Sequence, residues 1–250
     1  VRLGINPPKG AYPDRHALHV ALLASSIGVN RGWDKQTLLD LGLGCLIHDL
    51  GMHRVTGKLH QMERVLRPTE FSEVIKHPLH TLELLEQLID TVPPASRMVA
   101  YQIHERCDGS GYPRNRTRSC IHELAKVAAV ADVYVALVSP RPHRPPLMPH
   151  YAVMHLLNGV KQGVFDSESV RALLRTISLY PIGSYVALTD GRRGQVLRAN
   201  VEDYTRPILE IRVSEDNGQE TTVVDLQQER QLAIRKPLAT FAAESAAGEV

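Results

Sequence analysis

The chain of 250 residues is long enough to bury a complete hydrophobic core, and its 43% hydrophobic and 22% charged residues are ordinary for a globular protein. The formal net charge of +2 argues against bulk nucleic-acid binding, which requires a strongly basic surface. Three cysteines without paired spacing argue against a disulfide framework and against cysteine-bound zinc, so we expect reduced thiols and a cytoplasmic protein.

The first two-thirds of the chain predict helices, because apolar residues recur three and four positions apart between loop signals. Residues 1–13 are rich in Gly and Pro and predict a loop, and residues 52–67 predict a connection of mixed polarity. Asp34 is a suitable N-cap, Gly51 stops the helix that Asp34 begins, and Pro78 suits a first helical turn. The expected helices run over about 14–26, 34–49, 69–76, 78–89, 95–105, 121–138, 150–161 and 167–178.

After residue 180 the pattern changes to short runs that predict β-strands. These runs cover 185–188, 195–197, 208–213 and 221–224, with turn signals at Asp190-Gly191 and Asp216-Asn217-Gly218. We therefore expect a mainly α fold in three parts. They are a helical domain over 1–180, a small β appendage of four or five strands over 181–235, and a disordered tail over 236–250.

Titratable side chains on separate predicted helices favour a buried metal centre. His48 and Asp49 stand side by side at the end of an apolar helix, where an isolated carboxylate is costly. They can share one ion only if other helices supply the remaining ligands. Such candidates are His16, His77, His104 and Asp132. Mixed nitrogen and oxygen ligands favour iron, manganese or zinc, and Asp49 is placed to bridge two ions, as in two-metal phosphoesterases.

The ordered motifs resemble the HD-GYP family, a branch of the HD metal-dependent phosphohydrolases. The resemblance covers about residues 10–178. It rests on His48-Asp49, His77-Pro78, the run from His104 to Gly111-Tyr112-Pro113, residues 131–137 and Arg141-Pro142. It implies an HD-type helical bundle that hydrolyses the bacterial second messenger cyclic di-GMP to linear pGpG, with GMP left open as a final product.

The resemblance also implies roles for individual residues. His48 and Asp49 are the central catalytic pair. Two divalent ions, iron or manganese, are bound by His16, His48, Asp49, His77, His104 and Asp132. We expect Asp49 to bridge the ions, with His16, His48 and Asp132 on one and His77 and His104 on the other. The substrate is expected to contact Arg141, Arg144 and the pocket rim formed by Gly111, Tyr112 and Pro113.

Four positions depart from the family pattern. Met52 stands where the family usually has Lys, Ile103 where it has a second His, Val135 where it has a second Asp, and Tyr12 where some members hold a third metal with Glu. The leading hypothesis is a two-metal cyclic di-GMP phosphodiesterase. The alternative is a weak or inactive signalling module that binds cyclic di-GMP or a diguanylate cyclase partner. A phosphohydrolase for another nucleotide is a third hypothesis, against which the glycine-tyrosine-proline loop argues.

The expected partners follow from the same resemblance. They are cyclic di-GMP and either a diguanylate cyclase domain or an upstream sensor or receiver module, and a homodimer is left open. The chain begins with Val, so we expect it to be a fragment of a longer protein. We expect no nucleic-acid partner. No membrane contact is expected either, because the apolar run over 124–138 is short and contains Lys126 and Asp132.

Overall fold

The computed structural model describes residues 14–200, 202–215 and 218–240, which form a helical body followed by an antiparallel sheet. The mainly α fold with a small C-terminal sheet is confirmed. The predicted loop over 1–13, which includes Tyr12, lies outside the described residues, as do two residues of the turn over 216–218 and the end of the tail from residue 241. The helices are α1 (Asp14–Asn30), α2 (Lys35–Ile47), α3 (Pro68–Val74), α4 (His77–Leu85), α5 (Pro94–Gln102), α6 (Glu123–Val138), α7 (Pro149–Lys161) and α8 (Ser167–Ile177).

Helix boundaries follow local chemistry. The Asp34 side chain accepts hydrogen bonds from the backbone N–H groups of Gln36 and Thr37, so its predicted capping role is confirmed. Pro78 lies in the first turn of α4, where its missing N–H has no helical partner to lose. Two 3-10 helices, Leu50–Arg54 and Thr56–Gln61, occupy the predicted connection between α2 and α3.

Helix α6 lies at the centre of the helical body. Val127, Val130 and Tyr134 on this helix have no exposed surface. Helix α1 packs against α2, α6 and α8, and α2 also packs against α5. This packing gathers the end of α2, the start of α4 and the end of α5 around the middle of α6. No helix in the described part of the chain is long and apolar enough to cross a membrane.

Tyr134 is a polar exception within this core. Its hydroxyl is buried and has no hydrogen-bond partner among the described residues, and burial raises the pKa of the phenol. An unsatisfied buried hydroxyl destabilises a protein. We expect Tyr134→Phe to raise the free energy of unfolding by about 1 kcal/mol, measured by urea denaturation. Tyr101→Phe is the control, because the Tyr101 hydroxyl accepts a hydrogen bond from Arg114 Nε at 2.8 Å. A destabilised Tyr134→Phe variant would contradict the expectation.

The C-terminal sheet is antiparallel throughout. Its strands are β1 (Tyr185–Leu188), β2 (Arg193–Arg198), β3 (Ile208–Glu215), β4 (Gly218–Asp225) and β5 (Ile234–Leu238), in the order β4-β3-β2-β1-β5. Val186, Leu209 and Ile211 contribute to a hydrophobic core separate from that of the body. The Ser178 hydroxyl after α8 donates to the Tyr204 carbonyl at 2.9 Å and ties the two parts together.

Strand β5 corrects the predicted end of the appendage. The appendage was predicted to end at residue 235 and a disordered tail to begin at 236, because the residues that follow are rich in Ala and Glu. Strand β5 instead continues through Leu238. Pro237 lies within this strand. It is tolerated because β5 is an edge strand, so only one side of the backbone needs hydrogen bonds, and Pro237 pairs with Val186 of β1.

Candidate metal centre

The six side chains predicted as metal ligands lie together in the interior of the helical body. Each is buried, with no more than 8% of its surface exposed. They come from separate elements. His16 lies in the first turn of α1, His48 and Asp49 at the break after α2, His77 at the start of α4, His104 just after the end of α5, and Asp132 in the middle of α6.

Asp49 is shared by two groups of potential ligands. His16, His48 and Asp49 offer ligand atoms within 4.8 Å of one another, and so do Asp49, His77 and His104. The Asp49 Oδ2 atom is 3.4 Å from His48 Nε2, and Oδ1 is 3.4 Å from His77 Nε2. One carboxylate oxygen therefore faces each group. Two ligands of one ion lie about 3 Å apart at ordinary metal–ligand distances, so these separations suit a bridging carboxylate.

Asp132 contacts one histidine from each of the two groups of potential ligands. Its Oδ1 atom is 2.9 Å from His16 Nε2, and its Oδ2 atom is 3.4 Å from His104 Nδ1. Burial alone would raise the pKa of Asp132, but hydrogen bonds and positive charge from His104 and His16 hold it well below its usual range. Asp132 is therefore an anion in the middle of the imidazoles.

Two of the histidines are oriented by backbone carbonyls. His48 Nδ1 lies 2.6 Å from the Cys45 carbonyl oxygen, and His77 Nδ1 lies 2.8 Å from that of Val74. A carbonyl only accepts, so Nδ1 carries the proton and donates it, and the Nε2 lone pair of each ring remains for another partner. This is the arrangement that metal-bound histidines commonly have.

Several nitrogen and oxygen atoms at the centre of the cluster, all of them potential metal ligands, have no hydrogen-bond partner in the described part of the chain. They are His48 Nε2, Asp49 Oδ1 and Oδ2, His77 Nε2 and His104 Nε2. Buried polar atoms are nearly always paired, because an unpaired one is costly. Lone pairs from three imidazoles and one carboxylate that converge in this way fit divalent cations. The Cys45 thiol does not belong to either group of converging ligand atoms, and burial raises its pKa.

The protonation of the cluster also suits a cation. Burial would raise the pKa of Asp49, but positive charge from His48, His77 and other imidazoles holds it at about 2. Burial lowers the pKa of His77 to about 4 and also lowers that of His104. At neutral pH these two rings are neutral, and they need not lose a proton before binding a metal.

These shifts predict how acid affects the metal-free protein. In the unfolded chain His77 takes up a proton near pH 6.5, but in the folded chain it does so only near pH 4. The free energy of unfolding should therefore fall as the pH drops through this interval, by up to about 3 kcal/mol. The pKa of Asp49 is lowered from 3.8 to about 2, so this group affects stability only below about pH 4. Urea unfolding of chelator-treated protein measures the effect, which His77→Gln should reduce. A flat profile between about pH 6.5 and 4.5 would contradict it.

The glycine-tyrosine-proline segment lies against the cluster. The Tyr112 ring stacks on His104 with centroids 4.9 Å apart and meets His77 edge-on at 6.0 Å. The Tyr112 N–H donates to the His104 carbonyl at 3.1 Å. A Cβ atom at Gly111 would overlap the backbone of Arg106, so only glycine fits there. The segment thus forms a wall beside two of the candidate ligands.

Glu105 holds the loop over 114–116, which follows the glycine-tyrosine-proline segment, by hydrogen bonds to its backbone. From the sequence, Glu105 was a candidate either to orient His104 or to lie at the surface, and the structure buries it. Its Oε1 atom accepts the Arg114 N–H at 2.9 Å, and its Oε2 atom accepts the Arg116 N–H at 2.8 Å. Glu105 therefore holds the loop rather than orienting His104.

Thr81 is a contact that the sequence analysis missed. Its hydroxyl donates to the His48 carbonyl and accepts from the Gly51 N–H. A signal was present in the sequence, because Thr81 follows His77 by one helical turn and so shares its face of α4.

The two predicted substrate arginines differ in their surroundings. The Arg144 guanidinium donates to the carbonyls of Ala136, Leu137 and Pro145, and so satisfies the carboxyl end of α6. Arg141 pairs with Arg144 through the backbone, and its charge acts on Tyr112, whose pKa is nevertheless raised by burial. The Arg144 guanidinium is thus occupied by the end of α6.

The family departures that the structure describes are packed in the interior. Met52 is 3% exposed, and Ile103 and Val135 are fully buried. Ile103 and Val135 belong to the main hydrophobic core. These three positions therefore serve packing, and none of them offers a nitrogen or oxygen ligand.

Comparisons with known proteins show the family of the helical body. The family model for the HD domain matches residues 9–169. A cyclic di-GMP phosphodiesterase of Pseudomonas aeruginosa is 30% identical over 204 residues, which cover 81% of this chain and 47% of that protein. The cyclic di-GMP phosphodiesterase response regulator RpfG of Xanthomonas campestris is 30% identical over 165 residues, which cover 66% of this chain and 42% of that protein.

A solved structure supports the fold. An HDG"Y"P protein of Bdellovibrio bacteriovorus superposes with a TM-score of 0.54 at 21% identity, covering 64% of this chain and 50% of the other. The chain spans about half the length of the curated relatives named above. The HD-domain match covers more than half of the chain and includes all six clustered residues. The chain belongs to the HD-domain family, and its assignment to the HD-GYP branch is confirmed.

Proposed function

We propose that this chain is a metal-dependent phosphodiesterase that hydrolyses cyclic di-GMP to linear pGpG in bacterial second-messenger signalling, with GMP left open as a final product. The observation that carries the proposal is the set of unpartnered buried donor atoms around Asp49. The two curated relatives support the substrate, because both are named cyclic di-GMP phosphodiesterases.

The proposed ligand sets follow the geometry of the cluster. Asp49 would be shared by two divalent ions, with His16, His48 and Asp132 holding one and His77 and His104 holding the other. The nitrogen-rich donor set with carboxylates favours iron or manganese over calcium or magnesium. Bound divalent ions supply Lewis acidity toward phosphate oxygens and acidify water.

The protein's own groups would orient the substrate. Hydrolysis adds water across one P–O3′ bond, with the hydroxyl going to phosphorus and the proton to the 3′ oxygen. Arg141 and Arg144 are proposed to donate to phosphate or guanine oxygens. Tyr112, with Gly111 and Pro113, would form the rim of the pocket. The raised pKa of Tyr112 keeps its phenol neutral, so it can donate a hydrogen bond but adds no negative charge.

The test is a turnover assay. Purified protein is loaded anaerobically with Fe²⁺ or with Mn²⁺, incubated with cyclic di-GMP, and its products are separated by chromatography. We expect linear pGpG to appear first. The His48→Ala, Asp49→Ala double variant should form none, and the exposed-site variant Asp90→Asn should behave as the wild type. Turnover that survives in the double variant would overturn the proposal.

The same assay addresses the alternative function. A chain that binds cyclic di-GMP without hydrolysing it, with either metal, would support the weak or inactive signalling module. A diguanylate cyclase domain, an upstream sensor or receiver module and a second copy of the chain remain proposed partners.

A further inference from the structure

The backbone at His48 and Asp49 is held by a hydroxyl from another helix. Helix α2 ends at Ile47 and a 3-10 helix begins at Leu50, so the chain breaks its helical hydrogen bonding at this pair. Carbonyls at the end of one helix and N–H groups at the start of the next have no partner within their own helix. The Thr81 hydroxyl donates to the His48 carbonyl at 3.0 Å and accepts from the Gly51 N–H at 2.9 Å.

This pair of hydrogen bonds encloses Asp49. The two backbone groups that Thr81 contacts lie on either side of this residue in sequence, so the hydroxyl fixes the path of the chain through it. Thr81 is fully buried, and no water is needed to complete its bonds, because the hydroxyl both donates and accepts.

Thr81 also lies on the helix that carries His77. A threonine within a helix commonly donates to the carbonyl four residues before it, which here would be that of His77. Thr81 instead donates across to the His48 carbonyl. Gly51 packs directly against the His77 carbonyl, so the two segments touch at this point. One hydroxyl therefore links the segment that carries His48 and Asp49 to the helix that carries His77.

We propose that Thr81 is a positioning residue for the two-ion centre, setting the distance between the bridging carboxylate of Asp49 and the imidazole of His77. The proposal rests on the proposed function and adds to it a residue outside the ligand set. Residues that orient metal ligands typically change metal affinity by about 10- to 100-fold when they are replaced.

The test compares two substitutions at one position. Thr81→Val keeps the shape of the side chain but loses both hydrogen bonds, and Thr81→Ser keeps the hydroxyl. Ser96→Ala is the matched control, because the buried Ser96 hydroxyl donates to the Asp40 carbonyl at 2.9 Å, between α5 and α2 and away from the cluster. Mn²⁺ binding to the metal-free protein is measured by calorimetry, and stability by urea unfolding.

We expect Thr81→Val to weaken Mn²⁺ binding by about 10- to 100-fold, while Thr81→Ser and Ser96→Ala bind as the wild type does. If Thr81→Val does not fold, Thr81→Cys replaces it; its weakly donating thiol should give an intermediate affinity. Wild-type affinity in Thr81→Val, or an equal loss in Ser96→Ala, would overturn the positioning role alone. A wild-type chain that binds no Mn²⁺ would overturn the proposed function and the role of Thr81 with it.

Discussion

Replacing Asp49 with asparagine is expected to abolish the paired binding of two ions and to lower phosphodiesterase turnover by on the order of 1000-fold. Asp49 is the residue common to both ligand groups. Its lowered pKa, about 2, means that it contributes a full negative charge at neutral pH. Asparagine keeps the size of the side chain but removes that charge and replaces one bridging oxygen with an NH₂ group, which cannot coordinate a cation.

Metal content and turnover measure the Asp49→Asn effect together. Elemental analysis of the reconstituted variant should find fewer than two ions per chain, and the formation of pGpG should fall in parallel. Asp90→Asn, which changes an exposed carboxylate outside the cluster, is the matched control and should retain both. An Asp49→Asn protein that kept two ions and turnover within tenfold of the wild type would contradict the proposal that Asp49 is shared by the two ions.

Replacing Gly51 with alanine is expected to destabilise the fold by about 3 kcal/mol and to remove metal binding with it. A Cβ atom at this position would overlap the His77 carbonyl oxygen and lie 2.7 Å from the Thr81 backbone nitrogen. Both neighbours belong to the backbone of α4, so no side-chain rotation can relieve the contact. The segment that carries Asp49 would have to move away from the helix that carries His77.

Gly42→Ala is the matched control for this substitution. A Cβ atom there meets only the Ser25 hydroxyl at 3.3 Å, and alanine favours the helix by up to about 1 kcal/mol. We therefore expect Gly51→Ala to unfold at lower urea and to lose Mn²⁺ binding, whereas Gly42→Ala keeps both properties. Urea unfolding and Mn²⁺ titration of the two variants measure the difference. Equal stability and equal metal binding in the two variants would show that close contact between the Gly51 segment and α4 is not required.

The parts of the fold that could be predicted are those in which local chemistry and tertiary packing agree. Asp34 begins a helix because its side chain satisfies free N–H groups, and Pro78 suits a first turn wherever the helix packs. Gly51 was expected to end the helix that Asp34 begins, but that helix ends at Ile47, and Gly51 lies inside the 3-10 helix that follows, in close contact with α4. Strand β5 was not anticipated in full, because the residues from 236 onward are rich in Ala and Glu, and the strand order that makes Pro237 acceptable on an edge is not visible locally.

The candidate site shows the same division. His16, His77 and His104 could be selected from the other histidines because they stand in the ordered set of motifs that resembles the HD-GYP family. The structure brings them together with His48 and Asp49. Arg144 looked available for substrate, but sequence cannot distinguish an arginine that caps a helix from one that faces a pocket. Thr81 was missed because its importance depends on which backbone groups another helix leaves unpaired.

The most direct test of the account is the location and number of bound ions. Crystals of the protein loaded with Mn²⁺ should give two anomalous-scattering peaks, one on each side of the Asp49 carboxylate, with His16, His48 and Asp132 around one and His77 and His104 around the other. Absence of peaks in crystals grown with saturating Mn²⁺, or peaks that lie only elsewhere on the chain, would contradict the two-ion centre and the phosphodiesterase activity inferred from it.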